Sequence, residues 1–130
     1  MDVESLYNLL DKDLADVRSL IQTTLIETKT KETEPVLEYL LSSQGKLIRP
    51  ILVFLSAHVL DFKLDADQKK KLVLVAAAIE IIHMASLVHD DVIDNADTRR
   101  NKSSIKAKFG NVTAVTMGVY LYSVALKLIA

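Results

Sequence analysis

The 130-residue chain sets 16 lysines and arginines against 17 acidic residues, a formal net charge of −1, and half of it is hydrophobic. That balance fits a folded domain rather than a disordered tail, and no basic stripe marks a nucleic-acid surface. The absence of cysteine excludes disulfides, thiolate catalysis and cysteine-ligated metal centres.

At this length the prior is a single domain, residues 1–130, able to bury roughly two-thirds of its unfolded surface. The acidic start, Asp2-Val3-Glu4, lacks the basic stretch of a signal peptide, so a cytoplasmic location is expected. Val3, Leu6, Leu10, Leu14, Val17, Ile21 and Leu25 recur every three or four residues and predict one amphipathic helix. After a polar connection at 29–32, Thr33 or Glu34 can cap a second helix. Pro35 lies in its first turn and Gly45 fits its stop, with Val36, Leu37, Leu40 and Leu41 facing inward. Pro50 introduces a third helix over 51–60, apolar on nearly every side and therefore expected at the centre of a bundle.

Asp65 and Gln68 have the spacing of a capping box opening a long fourth helix, expected to run to about residue 95. Residues 104–109 predict a short helix ended by Gly110, and Asn111 is placed to cap a last helix over 112–130. The fold class is all-α. The last helix is apolar and near the ~20 residues of a membrane span. Lys127 inside it and its ordinary start favour a buried helix, with membrane contact as the weaker alternative. The chain ends on that apolar helix with nothing following to cover it, so it is expected to be incomplete or to pair with another chain.

His89-Asp90-Asp91-Val92-Ile93-Asp94 carries the chemistry. On a helix, Asp90 and Asp94 lie one turn apart on one face, with Asp91 beside them. Magnesium takes one or two carboxylates and completes its shell with phosphate oxygens and water, which this pair suits. The competing reading is a solvated acidic helix end, although carboxylates at a helix C-terminus oppose its dipole. Lys46 and Arg49 flank the start of the third helix, where free N–H groups already favour anions. With Arg99 and Arg100, the chain offers two cationic pairs and one acidic set, an inventory for two diphosphates.

In order, these residues resemble the trans-prenyl diphosphate synthases. The family's G-K-x-x-R-P stands at Gly45, Lys46, Arg49 and Pro50, and its first aspartate-rich motif with an arginine pair stands at Asp90, Asp91, Asp94, Arg99 and Arg100. The stretch from Ile82 to His89 is similar to the long-chain branch, and Phe109-Gly110-Asn111 and Gly118 fall in step. The likeness covers roughly the whole chain. It implies the N-terminal part of the isoprenoid synthase fold, an antiparallel helix bundle. It also implies magnesium-dependent condensation of isopentenyl diphosphate with an allylic diphosphate. By that likeness Asp90 and Asp94 ligate magnesium, Asp91 supports the cluster, and Arg99 holds the allylic diphosphate. Lys46, Arg49, His83 and Arg100 hold isopentenyl diphosphate, with Gly45 shaping the loop. His89 and His58 are read as structural.

The growing tail is expected to run along the fourth helix past Ser86, Ala85, Ile82 and Ile81. In the family, bulky aromatics four or five residues before the first aspartate block short products. Ser86 and Ala85 are small, which implies a deep tunnel and a long product.

Two residues depart from the family pattern. Asn101 stands where a glycine commonly follows the arginine pair, and Val119 where an aspartate usually follows Gly118. The family's second aspartate-rich motif is not in the chain, so the expectation is a truncated enzyme or one part of a split enzyme, weakly active alone. A homo-oligomer or a complex with a second synthase chain is expected. The alternative is a non-catalytic regulatory or assembly subunit. A distant likeness of His58 and His89-Asp90 to the H…HD metal phosphohydrolases leaves Lys46, Arg49 and the arginine pair unused.

Overall fold

The computed structural model describes residues 2–43, 45–60 and 63–130. Asp2 opens α1 (Val3–Leu9) by accepting the Ser5 N–H at 2.8 Å. The single first helix expected from the sequence is in fact two. Leu10, with φ −102° and ψ 10°, ends α1 and starts α2 (Asp11–Glu27). The break has a packing cause: α1 buries nothing, whereas Leu10 is 1% exposed and turns inward with Leu14, Val17, Ile21 and Leu25 of α2.

Helix α3 (Glu34–Leu41) begins with Pro35 in its first turn, as expected, but stops at Ser42 rather than Gly45. Helix α4 (Ile48–Val59) starts earlier than predicted. Pro50 sits inside its first turn, where a missing N–H costs nothing because those donors have no helical acceptor. Arg49 therefore belongs to the helix itself.

The expectation that this apolar helix is central fails. Pro50, Ile51 and Phe54 are buried, but Leu52 is 56% and Val59 82% exposed. The centre is α5 (Ala66–Ile93), which packs against α2, α4, α6 (Ile105–Phe109) and α7 (Asn111–Ile129). Its two-way capping box forms as read, with Gln68 N–H donating to Asp65 at 2.8 Å and the Gln68 side chain accepting the Asp65 N–H at 2.9 Å.

The small inward face of α5 (Ala76, Ala77, Ala78, Ala85) lets its backbone approach its neighbours closely. Ile81 of α5 and Leu121 of α7 are wholly enclosed in the same core. Both helices are long and apolar enough to cross a membrane by length and composition, with 39% and 33% of those stretches buried. The two pack on each other along their length.

Gly110 ends α6 and precedes α7 with φ 92°, a conformation open to glycine, and Asn111 provides no side-chain cap. The Tyr120 hydroxyl donates to the Thr28 carbonyl at 3.0 Å, tying α7 to the end of α2. The outer face of α7 is bare: Val112, Val115, Val119, Leu126 and Ile129 are all exposed.

His89 is structural, as read. Its Nε2 lies 2.9 Å from the Val115 carbonyl, and a Cβ on Gly118 would overlap its ring. Gly118→Ala should therefore destabilise the fold by about 1–3 kcal/mol through overpacking. Thermal unfolding of Gly118→Ala, alone and combined with His89→Ala, checks this, because removing the ring should return part of the loss.

Candidate active site

The three aspartates at the end of α5 divide by direction. Asp91 is 4% exposed, whereas Asp90 and Asp94 face solvent. Asp94 is the C-terminal cap, its N–H donating to the Asp90 carbonyl at 2.8 Å, so the two acids stay one turn apart.

Asp91 is held from outside the helix. Arg99 Nε donates to both its oxygens at 2.9 and 3.2 Å, and Arg99 Nη2 donates at 2.8 Å. That fork is the strong form of charge-assisted pairing. It also holds the Arg99 guanidinium above its usual range, first through the hydrogen bonds and then through the charges of Asp91, Asp90 and Asp94.

Arg99 stands on a two-stranded hairpin that the sequence did not announce. Strand β1 (Thr98–Arg99) pairs antiparallel with β2 (Lys102–Ser103). Both turn residues are left-handed, Arg100 at φ 51° and Asn101 at φ 62°. This is the turn whose twist matches a hairpin, and asparagine tolerates its second position well. The place where a glycine is common is thus filled by the residue that most nearly substitutes for it.

Two neighbours fix the hairpin in place. The Tyr39 hydroxyl of α3 donates to the Ser103 carbonyl at 2.9 Å, and the Ser104 hydroxyl donates to the Ala96 carbonyl at 2.7 Å. Arg100 is thereby turned toward the loop before α4. A Cβ on Gly45 would sit 3.1 Å from Arg100 Nη2, so glycine here permits the guanidinium's close approach. The loop is pinned by the Tyr7 hydroxyl, which donates to the Lys46 carbonyl at 2.5 Å. Leu47 follows with φ 54° while 5% exposed, a strained backbone held by burial of its side chain.

Between these elements lies a cavity of about 100 Å³, lined among others by Gly45, Glu80, His83, Asp91, Arg99 and Arg100. Burial lowers the His83 pKa first, and Arg49, Arg100 and Arg99 add to this, with Asp90 opposing. The structure thus brings Gly45, His83, Arg99 and Arg100 to one cavity, with Arg49 close enough for its charge to be felt there. Lys46, Asp90 and Asp94 lie outside that lining and face solvent.

Among the described residues, no three histidine or acidic side chains form a metal-binding group, and no ion pair involves Asp90 or Asp94. Two unpaired carboxylates one turn apart fit magnesium that draws its other ligands from phosphate and water.

The residues expected along the tail also separate. Ile81 and Ala85 are fully enclosed in the core, while Ile82 and Ser86 are half-buried on the face that leads to Asp90. That face continues upward through Ile79 and Val75, which are exposed. At ~1.5 Å per residue, the stripe from Asp90 to Val75 is ~22 Å long. The residue that sequence reading missed is Glu80, a buried acid one turn before His83. Its signal was a lone carboxylate inside an otherwise apolar run.

The site is thus a helical bundle with two exposed aspartates at a helix end, beside a cluster of cations. The polyprenyl synthetase family model matches residues 30–130, and the chain belongs to that family. It is 41% identical over its whole length to heptaprenyl diphosphate synthase component 2 of Geobacillus stearothermophilus, covering 39% of that relative. Heptaprenyl diphosphate synthase from Staphylococcus aureus superposes on 92% of the chain with a TM-score of 0.80 and 37% identity, 36% of that protein being covered. A polyprenyl synthase from Caulobacter crescentus, complexed with calcium and isoprenyl diphosphate, gives a TM-score of 0.86 at 30% identity, over 98% of the chain and 37% of that protein. The chain therefore spans under two-fifths of the length of these relatives.

His83 should titrate below the 6.5 of an ordinary imidazole. Its folded pKa lies under its unfolded one, so its contribution to stability is present above pH ~6.5 and is lost as the pH falls through the folded value. An NMR titration of the imidazole checks the direction. Arg49→Met should move the midpoint upward, because one of the opposing cations is gone.

Proposed function

We propose that the chain supplies the substrate-gathering part of a long-chain prenyl diphosphate synthase, in which isopentenyl diphosphate condenses with an allylic diphosphate. The observation that carries this reading is the division of the site. Two free carboxylates at the end of α5 stand beside a separate cationic cavity, so two diphosphates can be held by different means. Asp90 and Asp94 would hold magnesium, which when bound would neutralise the charge gathering on the departing diphosphate. Arg99, whose Nη1 lies outside its bonds to Asp91, would face the same allylic group.

Lys46, Arg49, Arg100 and neutral His83 would hold isopentenyl diphosphate without metal, on the loop shaped by Gly45. Charge-assisted hydrogen bonds from several cations to one phosphate group are the strong form of such contacts. The apolar stripe through Ser86, Ile82, Ile79 and Val75 supports a long hydrocarbon product, with Ile81 and Ala85 backing it from the core.

The rest of the catalytic set would come from a further segment or a second chain. The Geobacillus relative is named as one component of a synthase, and the exposed residues of α7 recur at the three-and-four spacing of a helix–helix seam. Those features support a homo-oligomer or a complex with a second synthase chain. They equally suit an assembly subunit, which would have no use for free Asp90 and Asp94.

Calorimetric titration of farnesyl diphosphate, with and without magnesium, separates the two readings. The expected result is metal-dependent binding that weakens at least about tenfold, or 1.4 kcal/mol, in Asp90→Ala. Absence of binding to a folded chain would favour the assembly subunit.

A further inference from the structure

The loop that carries Lys46 is held by a part of the chain outside the cavity. Helix α1 buries none of its residues, but Tyr7, half-buried, packs its ring against the core. The Tyr7 hydroxyl donates to the Lys46 carbonyl at 2.5 Å, 39 residues further along the chain. Among the described residues no other side-chain hydrogen bond reaches residues 45–47, and α4 begins at Leu47 without a side-chain cap.

That hydrogen bond acts on a strained peptide. Leu47 has φ 54°, a left-handed backbone that a residue with a side chain adopts at a cost. Turning the plane of the 46–47 peptide would return Leu47 to negative φ. The same turn swings the Lys46 carbonyl away from Tyr7, so the strain is released only by breaking the hydrogen bond. The two effects are of similar size, since one net hydrogen bond and one strained residue contribute comparable free energies. Removing the hydroxyl therefore shifts the loop toward the turned form. Gly45 and Leu47, on either side of Lys46, both line the cavity, and Gly45 receives Arg100. A turned loop displaces Lys46 and the seat of Arg100 together.

We infer that Tyr7 is a positioning residue. Its hydroxyl clasps the 46–47 peptide and keeps the cation-bearing loop in the form that receives isopentenyl diphosphate. This rests on the reading of the cationic cavity given above. It extends the site to α1, which contributes no residue to the cavity wall.

Tyr7→Phe keeps the ring and its packing and removes only the donor. Without metal, isopentenyl diphosphate should bind the variant about fivefold more weakly by calorimetry, with magnesium-dependent farnesyl diphosphate binding within about twofold of the parent. A hydroxyl that merely supports the fold would lower Tm and leave the ratio of the two affinities unchanged. Unchanged isopentenyl diphosphate binding, or equal loss of both ligands, overturns the inference.

Trypsin gives a readout that needs no ligand, because it cuts after Lys46 but not after Arg49, where Pro50 follows. Cleavage of a transiently opened loop follows the population of the open form, so cutting after Lys46 should be about fivefold faster in Tyr7→Phe. Cutting after Lys31, in the exposed turn before α3, is the reference that should not change. Equal rates at Lys46 in variant and parent overturn the clasp. If the parent chain binds no isopentenyl diphosphate, the proposed function fails, and the rate at Lys46 still decides whether Tyr7 holds the loop.

Discussion

A carboxylate enclosed at the end of an apolar helix needs a cation brought to it from elsewhere in the chain. Asp91 receives Arg99, and the site is built around that pair. The fork from Arg99 ties the end of α5 to the hairpin, so the direction of the hairpin is set by the same contact that neutralises Asp91. Burying an ion pair gains little over an apolar pair of the same shape, but leaving one member alone is costly. The contact therefore contributes more to fixing geometry than to net stability.

Consequences spread outward from that contact. With Arg99 turned inward, its neighbour across the left-handed turn, Arg100, reaches the bare Cα of Gly45. The loop carrying Lys46 is then anchored on one side by Tyr7 and on the other by the buried side chain of Leu47. Non-glycine left-handed residues occur at 47, 95, 100 and 101, beside the cation-bearing segments and at the end of the aspartate helix. Of the four only Leu47 is buried, so its backbone strain alone is held by burial of its own side chain.

Much of this was legible in the sequence, for reasons that differ by residue. The capping box at Asp65 and the short helix after Ser104 rest on local chemistry and appear as read. The all-α class followed from long apolar periodicity broken by few prolines and glycines. That Gly45, His83 and Arg100 belong together followed from the ordered motifs and not from periodicity, whereas Arg99, expected at the other diphosphate, shares their cavity. Other features depended on tertiary context. Leu10 breaks the first helix because the core draws it inward, which heptad-like spacing cannot reveal. Helix α4 looked central by composition, yet α5 holds that place because its run of alanines allows close approach on several sides. The hairpin at Thr98 to Ser103 has Thr98 as its one β-branched residue and no glycine, so its pairing depends on Tyr39 and Asp91 outside it. Asp90, Asp91 and Asp94 read as one cluster, whereas burial divides them into two outward carboxylates and one inward strut.

That division is the central claim, and Asp91→Asn tests it most directly. Isopentenyl diphosphate binding would be measured by calorimetry in the absence of metal, with circular dichroism confirming that the helices persist. If Asp91 is the strut that sets the hairpin, the variant should lose metal-free binding by about tenfold or more, because Arg100 is no longer held against Gly45. If Asp91 were only another metal ligand, metal-free binding would match the parent and only magnesium-dependent binding would fall. That outcome would contradict the account.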